Sequence, residues 1–144
     1  MRILIPTTED DFAHYFDLRW RILRAPWNQP RGSERDAFEE QSWHRMACGD
    51  DRLPVGVARL QRNSPDQGQI RYMAVEPSCQ RHGIGTALVQ ALEAQARELS
   101  MFEIVLDARE ASVGFYRRLG YVVVGPSHTL FGTIGHSHMR KRLR

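Results

Sequence analysis

Apolar residues change their spacing several times along these 144 residues, and each change marks the edge of an element. Residues 2–6, RILIP, form an apolar run of strand length. Phe12, Tyr15, Phe16, Ile22 and Leu23 then recur at three- and four-residue steps, the spacing of one helix face. Thr8 and Asp11 supply a capping pair at the start of this helix, and Pro26 ends it. The polar, turn-rich APWNQPRGSERDAFEE follows, and its second half reads as a short helix opened by Ser33 with Asp36 three residues later. Three strand-like runs come next, at 42–49, 53–62 and 67–75. The breaks between them, GDDR and NSPDQG, are loop chemistry, so consecutive antiparallel strands are expected. Ile84, Leu88, Ala91, Leu92 and Leu99 give an amphipathic helix, and 102–108 reads as a strand. A helix over 113–120 stops at Gly120, and strands at 121–125 and 136–143 close the chain. The order β-α-α-β-β-β-α-β-α-β-β, without a repeat, low-complexity tract or linker, predicts one mixed α/β domain over 1–144.

Composition narrows the class. A chain of this length buries about two-thirds of its unfolded surface around one core. No apolar run is long enough to span a bilayer, and MRILIPTTEDD lacks the apolar stretch of a secretory leader, so a cytoplasmic protein without a membrane partner is expected. Cys48 and Cys79 stand too far apart for a CxxC site and read as free thiols. The net charge of +3 is exceeded by the four basic residues of the tail RKRLR alone. No interleaved aromatics accompany that tail, so it reads as a solvated terminal strand and not as a nucleic-acid site.

The chemistry concentrates in VEPSCQRHGIGTALVQALEAQ, residues 75–95, where Gly83 and Gly85 stand at the start of a helix. A helix start carries unpaired N–H groups and the positive end of the dipole, which together attract an anion. Arg81 and His82 add donors beside it. A dinucleotide fingerprint would need a small residue where Leu88 stands, and a P-loop would need a lysine, yet the only lysine is Lys141.

Gln80-Arg81-His82-Gly83-Ile84-Gly85 resembles the [RQ]-x-x-G-x-[GA] signature of the GNAT superfamily of acyl-CoA-dependent N-acyltransferases. MAVEP at 73–77 and FYRRLGY at 115–121 are similar to flanking segments of that family. The resemblance implies a GNAT fold, an α/β (α+β) arrangement of about six to seven mostly antiparallel strands flanked by about four helices. A narrower resemblance, through LRWRILRAPWNQPRGSERD, is to the GNAT domain that precedes a thioesterase-like hot-dog domain in some bacterial proteins.

The resemblance further implies acetyl-CoA, or another acyl-CoA, as co-substrate and no metal. Met73, Ala74 and Val75 would hold the pantetheine through their backbone. Residues Gln80, Arg81, His82, Gly83, Ile84, Gly85 and Thr86 would take the pyrophosphate, with Arg109 and Ser112 also against the cofactor. Tyr116 falls where many members keep a tyrosine that protonates the departing thiolate; its alternative reading is a core aromatic beside Phe115. The acceptor would be the amine of a small molecule or peptide, and GNAT-like domains are often homodimers.

The sequence departs from the family twice. Arg109 stands where many members carry asparagine, and Gln69 stands where some carry the glutamate base. Asp107 and Glu34 are the substitutes considered, Glu110 being a third acid nearby, with a surface role the alternative for each. Trp27 and Arg31 lie in the segment expected to roof the acceptor site. Arg71 shares a strand side with Met73 by alternation, which would suit an anionic acceptor. His136 and His138 fall on one strand face with His128 nearby, but no acid or cysteine stands at ligand spacing, so a structural role is expected. Two readings therefore stand, an N-acyltransferase or an acyl-CoA-binding module that acts with a protein partner.

Overall fold

A computed structural model describes all 144 residues. Its strands are β1 (Arg2–Leu4), β2 (Trp43–Cys48), β3 (Pro54–Ser64), β4 (Gln67–Val75), β5 (Glu103–Arg109), β6 (Val122–Leu130) and β7 (Ile134–Arg142). Its α-helices are α1 (Glu9–Leu23), α2 (Ile84–Glu98) and α3 (Val113–Arg118). The strands join into one seven-stranded sheet in the order β1-β2-β3-β4-β5-β7-β6. Every neighbouring pair is antiparallel except β4 and β5, which run parallel.

The helices form where the apolar spacing placed them. α1 begins with a reciprocal cap in which the Thr8 hydroxyl accepts from the Asp11 N–H and the Asp11 carboxylate accepts from the Thr8 N–H. α1 covers one sheet face, burying Tyr15, Leu18 and Leu23 against Met46, Val57 and Ala74. α2 covers the other face, where Ile84, Leu88 and Leu92 pack with Leu60, Ile70, Ile104, Leu106 and Met139.

The helix expected from Ser33 does not form; residues 28–38 are turns and a 3-10 turn occupies Glu39–Gln41. Instead of supporting a helix start, the Asp36 carboxylate accepts from both Arg59 Nη atoms, at 2.7 and 3.0 Å, and from the Phe38 N–H. Glu39 likewise turns inward, its Oε2 2.9 Å from both Arg19 and Arg59, two arginines with no exposed surface. Tertiary ion pairs thus override a weak local preference, and three α-helices flank the sheet where about four were expected.

β4 carries the irregularity that shapes the site. Its register against β3 slips between Arg71 and Ala74, and Tyr72 in that interval has a left-handed backbone, φ 58°. One extra residue in a strand reverses the inside–outside alternation beyond it. Ile70 accordingly packs on the α2 side and Ala74 on the α1 side, although an unbroken strand would put both on one face.

Candidate active site

β4 and β5 pair only through Gln67, Gly68 and Gln69, opposite Glu103, Ile104 and Val105. Beyond Gln69 the two strands part, while β5 stays paired to β7 on its other edge as far as Arg109 opposite His136. The split leaves backbone N–H and C=O groups of both strands facing a gap, available to a ligand that can bond them. A cleft of about 140 Å³ lies in this gap, lined from one face by Ile70, Met73, Leu106, Ala108, Ser112 and Tyr116. From the other face it is lined by Leu23, Arg24, Gln69, Arg71, Tyr72, Asp107 and Arg109, and at its end by His128, Leu130 and His136.

The C-terminal end of β4 runs through a 3-10 turn, Pro77–Cys79, into the start of α2. Gly83 is the N-cap, with φ 77°, and Arg81 also has a left-handed backbone, φ 67°. The first helical bond runs from the Ala87 N–H to the Gly83 carbonyl, so the N–H groups of Ile84, Gly85 and Thr86 have no intrahelical acceptor. The two glycines serve different ends. A Cβ on Gly83 would meet open space, so that glycine supplies the positive φ of the turn. A Cβ on Gly85 would stand 3.1 Å from the Phe115 ring, so this glycine lets α3 pack against α2. Gly85, read in the sequence as part of the anion-attracting helix start, thus has a packing role as well.

Tyr116 is 8% exposed, its hydroxyl forms no hydrogen bond within the chain, and burial raises its phenol well above the ordinary value. It faces the cleft as a protonated donor without a partner. Its ring also packs edge-on against Phe115 and Tyr121, as the core-aromatic reading expects.

Asp107 lies in the cleft wall, as expected, but its carboxylate is already occupied. His138 Nδ1 is 2.8 Å away and Ser127 Oγ 2.9 Å. Burial pushes this carboxyl up, yet the His138 and Ser127 hydrogen bonds outweigh it and hold the group below the ordinary carboxylate range. Such a carboxylate is a weak base and a good orienting group for His138.

His136 occupies the end of the cleft, 8% exposed, and stacks on His128 with ring centroids 4.4 Å apart. Its Nδ1 is 3.0 Å from the Ile134 carbonyl oxygen, an approach that a protonated nitrogen makes, so the neutral ring keeps its lone pair on Nε2. Burial lowers its pKa, assisted by His128 and Arg109. Neither histidine was singled out as a site residue in the sequence, because β5 and β7 are adjacent only in the sheet. The alternating HSH was the one available signal. No cluster of three His, Cys, Asp or Glu side chains is arranged to hold a metal.

Four other expectations change. Glu34 is buried away from the cleft, its Oε1 accepting from the Gly32 N–H and its carbonyl from Arg19. Arg31 points outward, bonded to Asp17 at 2.8 Å and stacked on Trp20. Arg109, expected against the cofactor, shares a strand face with Asp107 and lies over Trp27, 4.8 Å from the ring centroid, on the α1 side. Arg71 does line the cleft, but the bulge at Tyr72 puts it on the face opposite Met73. Trp27 stands at the rim, between Arg109 and Phe131.

Two splayed parallel strands beside a glycine-capped helix start offer unpaired backbone groups and an anion-attracting helix end, which suit an extended amide-bearing chain that ends in a pyrophosphate. The arrangement defines a coenzyme A-dependent acyltransferase. The chain belongs to the acetyltransferase (GNAT) family, whose sequence profile matches residues 12–121. It is accordingly an acyltransferase enzyme that uses acetyl-CoA. The uncharacterized N-acetyltransferase YjcF of Bacillus subtilis (strain 168) is 28% identical over 141 residues, covering 98% of this chain and 99% of YjcF. An aminoglycoside 6'-N-acetyltransferase complexed with coenzyme A superposes with a TM-score of 0.84 at 19% identity, covering 100% and 98% of the two chains. An acyl-CoA N-acyltransferase from Pseudomonas aeruginosa gives a TM-score of 0.79 at 22% identity, covering 97% of each chain. At these identities the two structures establish the fold alone.

Proposed function

We propose that this enzyme acetylates the primary amine of a small molecule by direct attack on the thioester, with Tyr116 as general acid and His136 as general base. The Tyr116 hydroxyl, without a partner in the chain and on a side chain that lines the cleft, carries the reading. Acetyl-CoA supplies the acyl group as a thioester. The unpaired N–H groups at the start of α2, with the Thr86 hydroxyl, hold its pyrophosphate, and the free edge of β4 at Met73, Ala74 and Val75 bonds the pantetheine. A β4 N–H in the gap stabilises the carbonyl oxygen as its charge grows. His136 Nε2 takes a proton from the acceptor ammonium, giving a neutral amine able to form the new C–N bond. As the C–S bond breaks, Tyr116 gives its proton to the departing sulfur, and the surplus proton on the new amide nitrogen passes to the phenolate so formed. This leaves the free thiol, a neutral amide and the restored hydroxyl; burial keeps that hydroxyl protonated before the step.

Release of free thiol across a panel of amines tests the proposal. Tyr116→Phe should lower kcat by about 10²-fold or more while the calorimetric affinity for acetyl-CoA stays the same. An unchanged kcat would remove Tyr116 from the mechanism.

A further inference from the structure

On the α1 side of the cleft, three arginines come together with little to neutralise them. Arg109 makes no hydrogen bond and no ion pair; its guanidinium rests on Trp27. Arg24 bonds only carbonyl oxygens, those of Ser33 at 3.1 Å and Leu23 at 2.9 Å, and lies 5.8 Å from the Tyr72 ring centroid. Arg71, 4.8 Å from the same centroid, has one carboxylate within reach, Asp36 at 3.7 Å, and that carboxylate is already bound bidentately by Arg59. The only acid lining the cleft is Asp107, which is committed to His138 and Ser127. The lining therefore carries three guanidinium charges against one carboxylate.

Partly buried cations without a partner are costly, and chains seldom keep several together unless an anion completes them. Burial lowers the pKa of both Arg24 and Arg109, with Arg24 also acting on Arg109, so the two repel one another across the empty space. Each has unused planar N–H donors, the geometry that takes a carboxylate or phosphate in two bonds. The cleft of about 140 Å³ is smaller than the roughly 300 Å³ at which sites enclosing a drug-sized ligand begin. A compact acceptor suits that space.

We propose that Arg24, Arg71 and Arg109 form an anion subsite, and that the acceptor is a small amine carrying a carboxylate or phosphate, bound with its anion among these arginines. This rests on the acyl transfer proposed above, which it deepens by assigning the substrate class. The anion fixes one end of the acceptor on the α1 side, leaving its amine to reach the gap between β4 and β5. His128 and His136 close the end of the cleft.

The experiment compares β-alanine, O-phosphoethanolamine and propylamine as acceptors, with β-alanine and O-phosphoethanolamine telling the two anions apart. Inorganic phosphate is titrated separately by calorimetry without acetyl-CoA. Wild-type kcat/KM should favour at least one anionic amine over propylamine by tenfold or more. Arg109→Met should cut that ratio at least tenfold, and Arg71→Met, at a half-exposed site that tolerates truncation, should cut it in the same direction. Equal use of propylamine, or equal losses for all three amines in both variants, would overturn the subsite. If no amine is acetylated but phosphate binds, and Arg109→Met weakens it tenfold, the subsite stands and the acyl-transfer reading falls. Neither acetylation nor phosphate binding would overturn the subsite.

Discussion

A methyl group on Gly85 would lie 3.1 Å from Phe115 Cζ and 3.3 Å from Cε1, tight enough that the ring would have to give by a few tenths of an ångström. Phe115 cannot easily withdraw, because its ring packs against the core and meets Tyr116 edge-on with centroids 4.9 Å apart. Gly85→Ala should therefore carry an overpacking cost of about 1–3 kcal/mol. Against it stands a gain of about 0.5 kcal/mol from replacing glycine in a helix. The net effect is a loss of about 0.5–2.5 kcal/mol, a fall in Tm of about 3 °C for each kcal/mol. In a Phe115→Leu background the ring is gone, and the sign should reverse to a gain of about 0.5 kcal/mol. Urea denaturation of the four proteins in this double-mutant cycle measures the coupling, expected at about 1–3 kcal/mol. Gly83→Ala should behave differently. Its Cβ meets nothing, so its cost is the left-handed backbone, about 1–2 kcal/mol, the same in either background. The packing explanation would be refuted if Gly85→Ala destabilised both backgrounds equally. It would also fail if stability held in both while acetyl-CoA affinity dropped tenfold, since Gly85 would then be serving the ligand.

Further outcomes follow from the charged groups. His136 works as a base only when neutral, and its pKa is lowered, so kcat should climb with pH below about 6.5 and be level at pH 7–8. The groups around it are His128 and Arg109, with Asp107 and His138 beside them on the same sheet face. His136→Gln should abolish that rise and lower kcat by about 10²-fold or more; a variant that keeps the wild-type profile removes the assignment. Arg59→Met, at a site with no exposure, leaves Asp36 and Glu39 short of their shared partner and should cost about 3–5 kcal/mol in urea denaturation, while a cost below about 1 kcal/mol would show the network to be dispensable. Arg59 and the Phe38 N–H outweigh burial and hold Asp36 down to about 2, below its unfolded value. Its stabilising contribution is complete above about pH 4 and is lost as pH falls toward 2, so Tm should decline over that interval and Asp36→Asn should flatten the decline.

Element order, the helix start at Gly83 and the apolar faces of α1 and α2 were legible in the chain, because each depends on residues a few positions apart. Tyr116 was legible through its neighbours in FYRRLGY, which resemble a known segment. The arrangement of the acceptor side was not. Alternation placed Arg71 with Met73, but a left-handed Tyr72 reverses the strand's faces, and nothing local marks Tyr72 as the bulged residue. Asp107 read as either a base or a surface acid, and its partner could not be named because His138 is brought opposite it only by the pairing of β5 with β7. The helix expected from Ser33 fails for the same kind of reason, since Asp36 is drawn to an arginine on a distant strand.

By itself the sequence determined the periodic burial that sets strands and helices in order, and the glycine-capped turn that can receive a pyrophosphate. Those features follow from backbone geometry and the placing of apolar side chains within a single element. The tertiary structure alone decided which charges remain unpaired in the cleft. Arg31 is neutralised by Asp17 and Arg59 by Asp36, while Arg24 and Arg109 reach no carboxylate. Charge pairing falls steeply with distance and burial, and both are properties of the folded chain.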